Sequence, residues 1–242
     1  MVNGRVLHGI LGLLVLCLTC AGLPRTAPGA EPVTIWAGQP SKHEVALTFD
    51  DGPSPVYTKE ILALLHRYQA KATFFVLGEH VEKYPSLVKE MLRDGHEVGN
   101  HTFDHDRLTK LARPVWEGEM KELERTQVDL EILGCPKKGQ LMRPPYSAFD
   151  GRLVSYLKHT HRGLVLWSVD SGDWKGLDAE AIVHNVLDRV KNGSIVVFHD
   201  SDEEGQKSRQ PTVEALKVIL PALQAAGYRM VTISELVGRQ QR

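Results

Sequence analysis

Short apolar runs alternate with amphipathic segments along this chain from residue 45 onward. The runs at 45–49, 72–77, 97–99, 141–143, 163–169, 194–198 and 228–232 have the length and the β-branched or aromatic content of strands. The intervening segments 57–68, 85–93, 114–133, 152–159, 179–190 and 213–225 repeat apolar residues at helical spacing. Because strands that alternate with helices form parallel sheets, the pattern predicts an α/β fold, a distorted or incomplete (β/α) barrel of about seven parallel strands.

Several of these predicted strands end in polar residues that can carry chemistry. The first strand stops at Asp50-Asp51-Gly52-Pro53, where a turn dipeptide follows two adjacent carboxylates. Later runs end in Arg143-Pro144-Pro145-Tyr146, in Asp170-Ser171-Gly172-Asp173-Trp174, and in Val197-Phe198-His199. Each ending alone is consistent with an ordinary capped strand. Together they predict one active site, since barrels build their sites at the carboxyl ends of strands.

A histidine pair adds a candidate metal centre. His101 and His105 are four residues apart, and this spacing predicts one face of a helical turn that could hold one ion. Asp51 would complete a set of two histidines and one carboxylate, which leaves a coordination position open for water and substrate. For the other histidines we favour a surface or core role: His43, His66, His80, His159, His161 and His184.

These segments resemble the polysaccharide deacetylase family, also called the NodB-homology domain or carbohydrate esterase family 4. The resemblance rests on five motifs that occur in the family's order between about residues 45 and 200. They are Thr48-Phe49-Asp50-Asp51-Gly52-Pro53, His101-Thr102-Phe103-Asp104-His105, Arg143-Pro144-Pro145-Tyr146, Asp170-Ser171-Gly172-Asp173-Trp174 and Val197-Phe198-His199. Val197 is a departure, because the family more often has leucine there. The resemblance implies the same barrel fold.

The resemblance also implies a role for each residue. Asp50 would be the general base and His199 the general acid, with Arg143 orienting Asp50 and Asp173 pairing with His199. The remaining positions would bind the acetyl group: the Tyr146 backbone N–H at the oxyanion, and Trp174 and Val197 as walls of the acetyl pocket. The cofactor would be one divalent ion on Asp51, His101 and His105, zinc by default, with cobalt or nickel as alternatives.

The predicted function is hydrolysis of N-acetyl groups on a cell-wall or chitin-like polysaccharide, with the amino sugars of peptidoglycan as the favoured substrate. One alternative is an esterase that removes O-acetyl groups from a xylan-type polysaccharide, which would use the same residues. A second alternative is a catalytically silent carbohydrate-binding relative. The intact set of metal-ligand, base and acid positions argues against this second alternative.

Composition and the N-terminal segment predict an exported, single-domain protein. The balance of 29 basic and 30 acidic residues gives no sign of nucleic-acid binding, and no obligate protein partner is evident. Residues 1–30 combine Arg5, an apolar stretch and small residues, which predicts a signal peptide, with an uncleaved anchor as the alternative. Residues 31–242 would form one catalytic domain, secreted or associated with the cell envelope. Its single thiol, Cys135, excludes an intramolecular disulfide.

Overall fold

The computed structural model describes Met1 and residues 34–238, except for 138, 139, 203 and 206. The described residues from 34 onward belong to a single structural unit. The predicted signal peptide, residues 1–30, lies outside the described residues apart from Met1. None of the described helices has the length and apolar content needed to cross a membrane.

The unit is built on a curled parallel sheet. Its strands are β1 (Thr34–Ile35), β2 (Glu44–Asp50), β3 (Ala72–Val76), β4 (Glu97–Asn100), β5 (Leu141–Met142), β6 (Gly163–Val165), β7 (Val169–Asp170), β8 (Ile195–His199) and β9 (Arg229–Met230). The order across the sheet is β1-β6-β5-β4-β3-β2-β8-β7, and β9 pairs with the start of β2. Every described pairing is parallel. The prediction of an incomplete parallel barrel is confirmed.

Helices connect most of these strands. They are α1 (Tyr57–Arg67), α2 (Gly78–Lys83), α3 (Pro85–Arg93), α4 (Arg113–Leu133), α5 (Gly151–His159), α6 (Ala179–Leu187), α7 (Gln210–Ala225) and α8 (Ile233–Val237). The long helix α4 ends at Gly134, whose φ of 115° lets the chain leave the helix in the left-handed region.

Two features of the sheet differ from the predicted count of seven strands. The strand expected over residues 163–169 is divided into β6 and β7, and the two-residue strand β1 was not predicted. The division coincides with Leu166, whose carbonyl oxygen accepts a hydrogen bond from the Arg143 side chain at 3.1 Å. A long-range contact of this kind leaves no trace in the local apolar pattern.

Alternation along the central strands separates the apolar core from the site. In β2, Val45, Leu47 and Phe49 belong to the large core that includes the buried faces of the helices. The intervening positions of the strand, Thr48 and Asp50, therefore point to the opposite face, inside the barrel. Strand β8 has the same alternation, and His199 pairs in register with Asp50. The candidate catalytic residues Asp50 and His199 therefore extend from adjacent strands into the same interior of the barrel.

Candidate active site

An open cavity of about 420 Å³ lies at the carboxyl ends of the strands and brings most of the predicted site residues together. It is lined by eight of the ten predicted residues: Asp50, Asp51, His101, His105, Tyr146, Trp174, Val197 and His199. The other two, Arg143 and Asp173, are buried and make direct contacts with lining residues.

Asp51, His101 and His105 converge on one point at the cavity wall. Asp51 Oδ1 lies 3.4 Å from Nε2 of each histidine, and the candidate ligand atoms of the three side chains are all within 4.8 Å of one another. Burial alone would raise the pKa of Asp51, but the imidazoles of His101, His199 and His105 outweigh burial and hold this pKa below its ordinary value. Asp51 is therefore an ionised carboxylate at neutral pH.

The hydrogen bonds of this cluster fit a bound cation. His101 Nδ1 lies 2.6 Å from the carbonyl oxygen of Arg143, which can only accept, so Nδ1 donates. In the neutral ring, the form that binds metals, Nε2 then presents a lone pair toward Asp51. Asp51 Oδ1 is buried and accepts no hydrogen bond from any described residue. An acceptor oxygen and an acceptor nitrogen that face each other without a proton leave room for a cation. Two imidazoles and one carboxylate suit zinc and similar divalent ions.

The local geometry of the histidine pair differs from the prediction. His101 and His105 do not lie on a helical turn: residues 101–107 form a loop in which Thr102 and His105 have φ values of 74° and 70°. Side chain to backbone bonds hold this loop, since Asn100 Oδ1 accepts from Thr102 N at 2.8 Å and Thr102 Oγ1 accepts from His105 N at 3.1 Å. The convergence of the two rings comes from the loop rather than from helical spacing.

Arg143 lies beneath Asp50 and is completely buried. Its Nη1 atom donates to Asp50 Oδ1 and to Thr48 Oγ1, each at 2.7 Å, and its guanidinium group stacks on the Phe75 ring at 4.3 Å. A buried arginine that donates to one oxygen of a carboxylate holds that carboxylate in a single orientation. Asp50 therefore presents its other oxygen, Oδ2, as a base at the cavity.

His199 and Asp173 form a second buried pair. His199 Nδ1 donates to Asp173 Oδ1 at 2.7 Å, and Asp173 Oδ2 accepts from His199 N and from Thr212 Oγ1. Burial alone would lower the pKa of His199, but the charge of Asp173 and its hydrogen bond outweigh burial and raise this pKa to about 9. His199 is therefore protonated at neutral pH, as a general acid must be.

Aromatic and apolar groups complete the cavity wall. Tyr146 and Trp174 line the cavity and are 50% and 54% exposed, and Val197 is buried in the wall. Tyr146 has a φ of 58°. Its ring packs against the His105 ring and also contacts the Arg107 guanidinium group, which lies 4.2 Å from the ring centroid. Trp174 Nε1 lies 3.4 Å from Asp170 Oδ2.

The structure adds site residues that the sequence pattern does not single out. Arg209, almost completely buried, has Nη2 4.0 Å from Asp51 Oδ2. Asp200 is buried beside the site, where burial raises its pKa to about 7 although a hydrogen bond from Thr58 acts in the opposite direction. His80, interpreted above as a surface or core residue, bonds to the backbone of Asp51. In the sequence, the polar run His199-Asp200-Ser201-Asp202 could have indicated Asp200 as a site residue. No sequence pattern indicated Arg209 or His80.

Comparisons with known proteins point to one enzyme family. The model of the family described as polysaccharide deacetylase matches residues 37–162. A peptidoglycan-N-acetylglucosamine deacetylase of Bacillus cereus is 39% identical over 209 residues, 84% of this chain and 92% of that protein. A chitooligosaccharide deacetylase of Sinorhizobium fredii is 37% identical over 198 residues, 79% of this chain and 89% of that protein.

A solved structure is similar over nearly the same length. The crystal structure of the Bc1960 peptidoglycan N-acetylglucosamine deacetylase, in complex with an N-oxidanyl-benzamide compound, superposes with a TM-score of 0.78 at 35% sequence identity. The match covers 87% of this chain and 95% of that one.

Proposed function

This chain belongs to the polysaccharide deacetylase family, and from that premise we propose that it is an exported, metal-dependent enzyme that removes N-acetyl groups from the amino sugars of peptidoglycan. It is a polysaccharide N-deacetylase, a hydrolase of amide bonds. The observation that supports the metal-dependent chemistry best is the placement of Asp50 and His199 as register partners on adjacent strands, beside the cluster of Asp51, His101 and His105.

In the proposed reaction, water adds to the acetamide carbonyl carbon and the carbon–nitrogen bond then breaks. Asp50, held by Arg143, takes a proton from the attacking water. His199, held as an imidazolium by Asp173, gives a proton to the departing nitrogen, so that acetate and a free amine are formed. The backbone N–H of Tyr146 donates to the oxyanion, and Trp174 and Val197 enclose the acetyl methyl group.

The proposed metal ligands are Asp51, His101 and His105, and zinc is the default ion for this set. When bound, a divalent ion supplies Lewis acidity for the carbonyl and for the attacking water. The chain's own contribution is a fixed ligand geometry, since the Arg143 carbonyl oxygen accepts from His101 Nδ1 and so orients the His101 ring.

The relatives support peptidoglycan over other polysaccharides, and an export route follows from that choice. The Bacillus cereus and Bc1960 proteins are named for peptidoglycan N-acetylglucosamine, whereas the Sinorhizobium fredii protein is named for chitooligosaccharides.

Mass spectrometry of peptidoglycan fragments, chitin oligomers and acetylxylan after incubation tests the proposal. Loss of acetyl groups from peptidoglycan fragments is expected, and loss from acetylxylan alone would instead favour the esterase.

Replacing His199 with alanine should damage amide cleavage far more than ester cleavage. An amine is a poor leaving group until it is protonated, whereas an aryl oxide leaves with less help. The kcat/KM values for an N-acetylated oligosaccharide and for an aryl acetate, measured on metal-loaded protein, give the ratio that checks this. We expect the ratio of amide to ester activity to fall about 10²-fold or more, which is the lower end of general acid contributions.

A purely structural role for His199 makes a different prediction. His199 would then contribute only to the packing at the end of β8, and the alanine variant would lose both activities equally, with a lower melting temperature. Equal losses would therefore contradict its assignment as the general acid.

A further inference from the structure

The segment Leu77–His80, which consists of the residue after β3 and the first turn of α2, is hydrogen-bonded to both loops that carry the proposed metal ligands. Three of its backbone amides make these bonds: Leu77 N to Gly52 O at 3.0 Å, Gly78 N to Thr102 O at 3.0 Å and Glu79 N to Phe103 O at 3.1 Å. The first bond holds the loop that follows Asp51, and the other two hold the loop between His101 and His105. The segment therefore fixes one ligand loop relative to the other.

The His80 side chain adds a bond to the ligand residue itself. His80 is 3% exposed, and its Nδ1 lies 2.7 Å from the carbonyl oxygen of Asp51. Because a carbonyl oxygen can only accept, Nδ1 carries the proton and donates it. Asp51 has a φ of 73°, a left-handed conformation that non-glycine residues rarely adopt without support from neighbours. The bond from His80 supplies such support to the Asp51 peptide.

Close packing leaves the segment little freedom to shift. A Cβ atom at Gly78 would lie 2.1 Å from Thr126 Oγ1 and 2.4 Å from Cδ2 of Phe103. The backbone at Gly78 is thus packed closely against both Phe103, in the loop of His101 and His105, and Thr126 of α4. Because Gly78 is fixed in this way, His80, two residues later, stays within hydrogen-bonding distance of the Asp51 carbonyl oxygen.

We propose that His80 is a positioning residue for the metal centre. By donating to the Asp51 carbonyl it holds the Asp51 carboxylate in the orientation that places Oδ1 3.4 Å from both histidine Nε2 atoms. This inference rests on the metal site of the proposed function. Residues that orient metal ligands commonly affect metal affinity about 10–100-fold when they are replaced.

Two substitutions at this position separate the hydrogen bond from the rest of the side chain. In His80→Asn the amide nitrogen is attached to Cγ, as Nδ1 is in histidine, so it can donate to the same carbonyl. In His80→Gln the amide lies one carbon further out and cannot occupy that place. His80→Ala removes the same donor without adding length, and it replaces His80→Gln if that variant does not fold.

Zinc affinity, measured by competition with a chromophoric chelator, tests the proposal, and the melting temperature of each metal-free variant is recorded alongside. We expect His80→Gln to bind zinc about 10–100-fold more weakly than wild type, and His80→Asn to lie nearer wild type than His80→Gln. Wild-type affinity in His80→Gln, or equal weakening in both variants, would overturn the role of His80. A wild-type protein that binds no zinc would overturn the metal centre itself.

Discussion

Replacing Asp50 with asparagine should lower kcat by about 10²–10⁴-fold while the metal content stays unchanged, because that range is what a positioned general base contributes. The asparagine oxygen can still accept the 2.7 Å hydrogen bond that Arg143 Nη1 donates to Asp50 Oδ1, so the local structure should be kept. What is lost is the basic oxygen that faces the cavity. Steady-state kinetics on an N-acetylated oligosaccharide, together with elemental analysis for metal, check both parts.

Asp170→Asn is the matched control for this prediction. Asp170 also lies at the end of a strand and lines the same cavity, and its Oδ1 accepts from Gly172 N at 2.8 Å, a bond that an asparagine oxygen can keep, but no proton transfer is proposed for it. A smaller loss of kcat is therefore expected. If Asp50→Asn turned over at a near-normal rate with metal bound, another residue would have to be the base.

Replacing His105 with alanine should remove tightly bound metal and, with it, the activity. The side chain supplies one of three proposed ligands, and its Nε2 lies 3.4 Å from Asp51 Oδ1. Loss of a direct ligand should weaken affinity more than the about 10–100-fold typical of residues that only orient ligands. Metal content after dialysis, followed by activity after addition of excess zinc, measures the effect.

His184→Ala serves as the control for this substitution. The His184 side chain is exposed on α6, where it faces Asp188 at 3.6 Å, so its loss should leave the metal content at the wild-type level. A His105→Ala protein that kept a full equivalent of tightly bound ion would contradict the ligand assignment.

The sheet and the site residues on its strands were predictable because both follow from periodicity. Strict alternation along β2 and β8 sends Leu47, Phe49 and Phe198 to the helices, and Asp50 and His199 to the interior. The parallel sheet and the position of Asp50 and His199 at strand ends that face the interior could therefore be derived from the sequence, whereas the pairing of β2 with β8 could not.

The loops and the supporting contacts were not predictable, because they do not follow from the periodicity of any one segment. The two histidine rings meet through a loop with left-handed residues, and His80 bonds to a carbonyl 29 residues away. Arg209 reaches Asp51 from a segment that carries no motif. Such contacts depend on tertiary structure, and no spacing rule within one segment can express them.

The most direct test of the proposed function is mass spectrometry of a defined peptidoglycan oligosaccharide incubated with the metal-loaded wild-type protein and, in parallel, with Asp50→Asn. The account predicts that the wild-type protein removes acetyl groups from the sugar nitrogens and releases free acetate, and that the variant leaves the oligosaccharide nearly intact. An oligosaccharide unchanged by the wild-type protein, or deacetylated equally by both proteins, would contradict it.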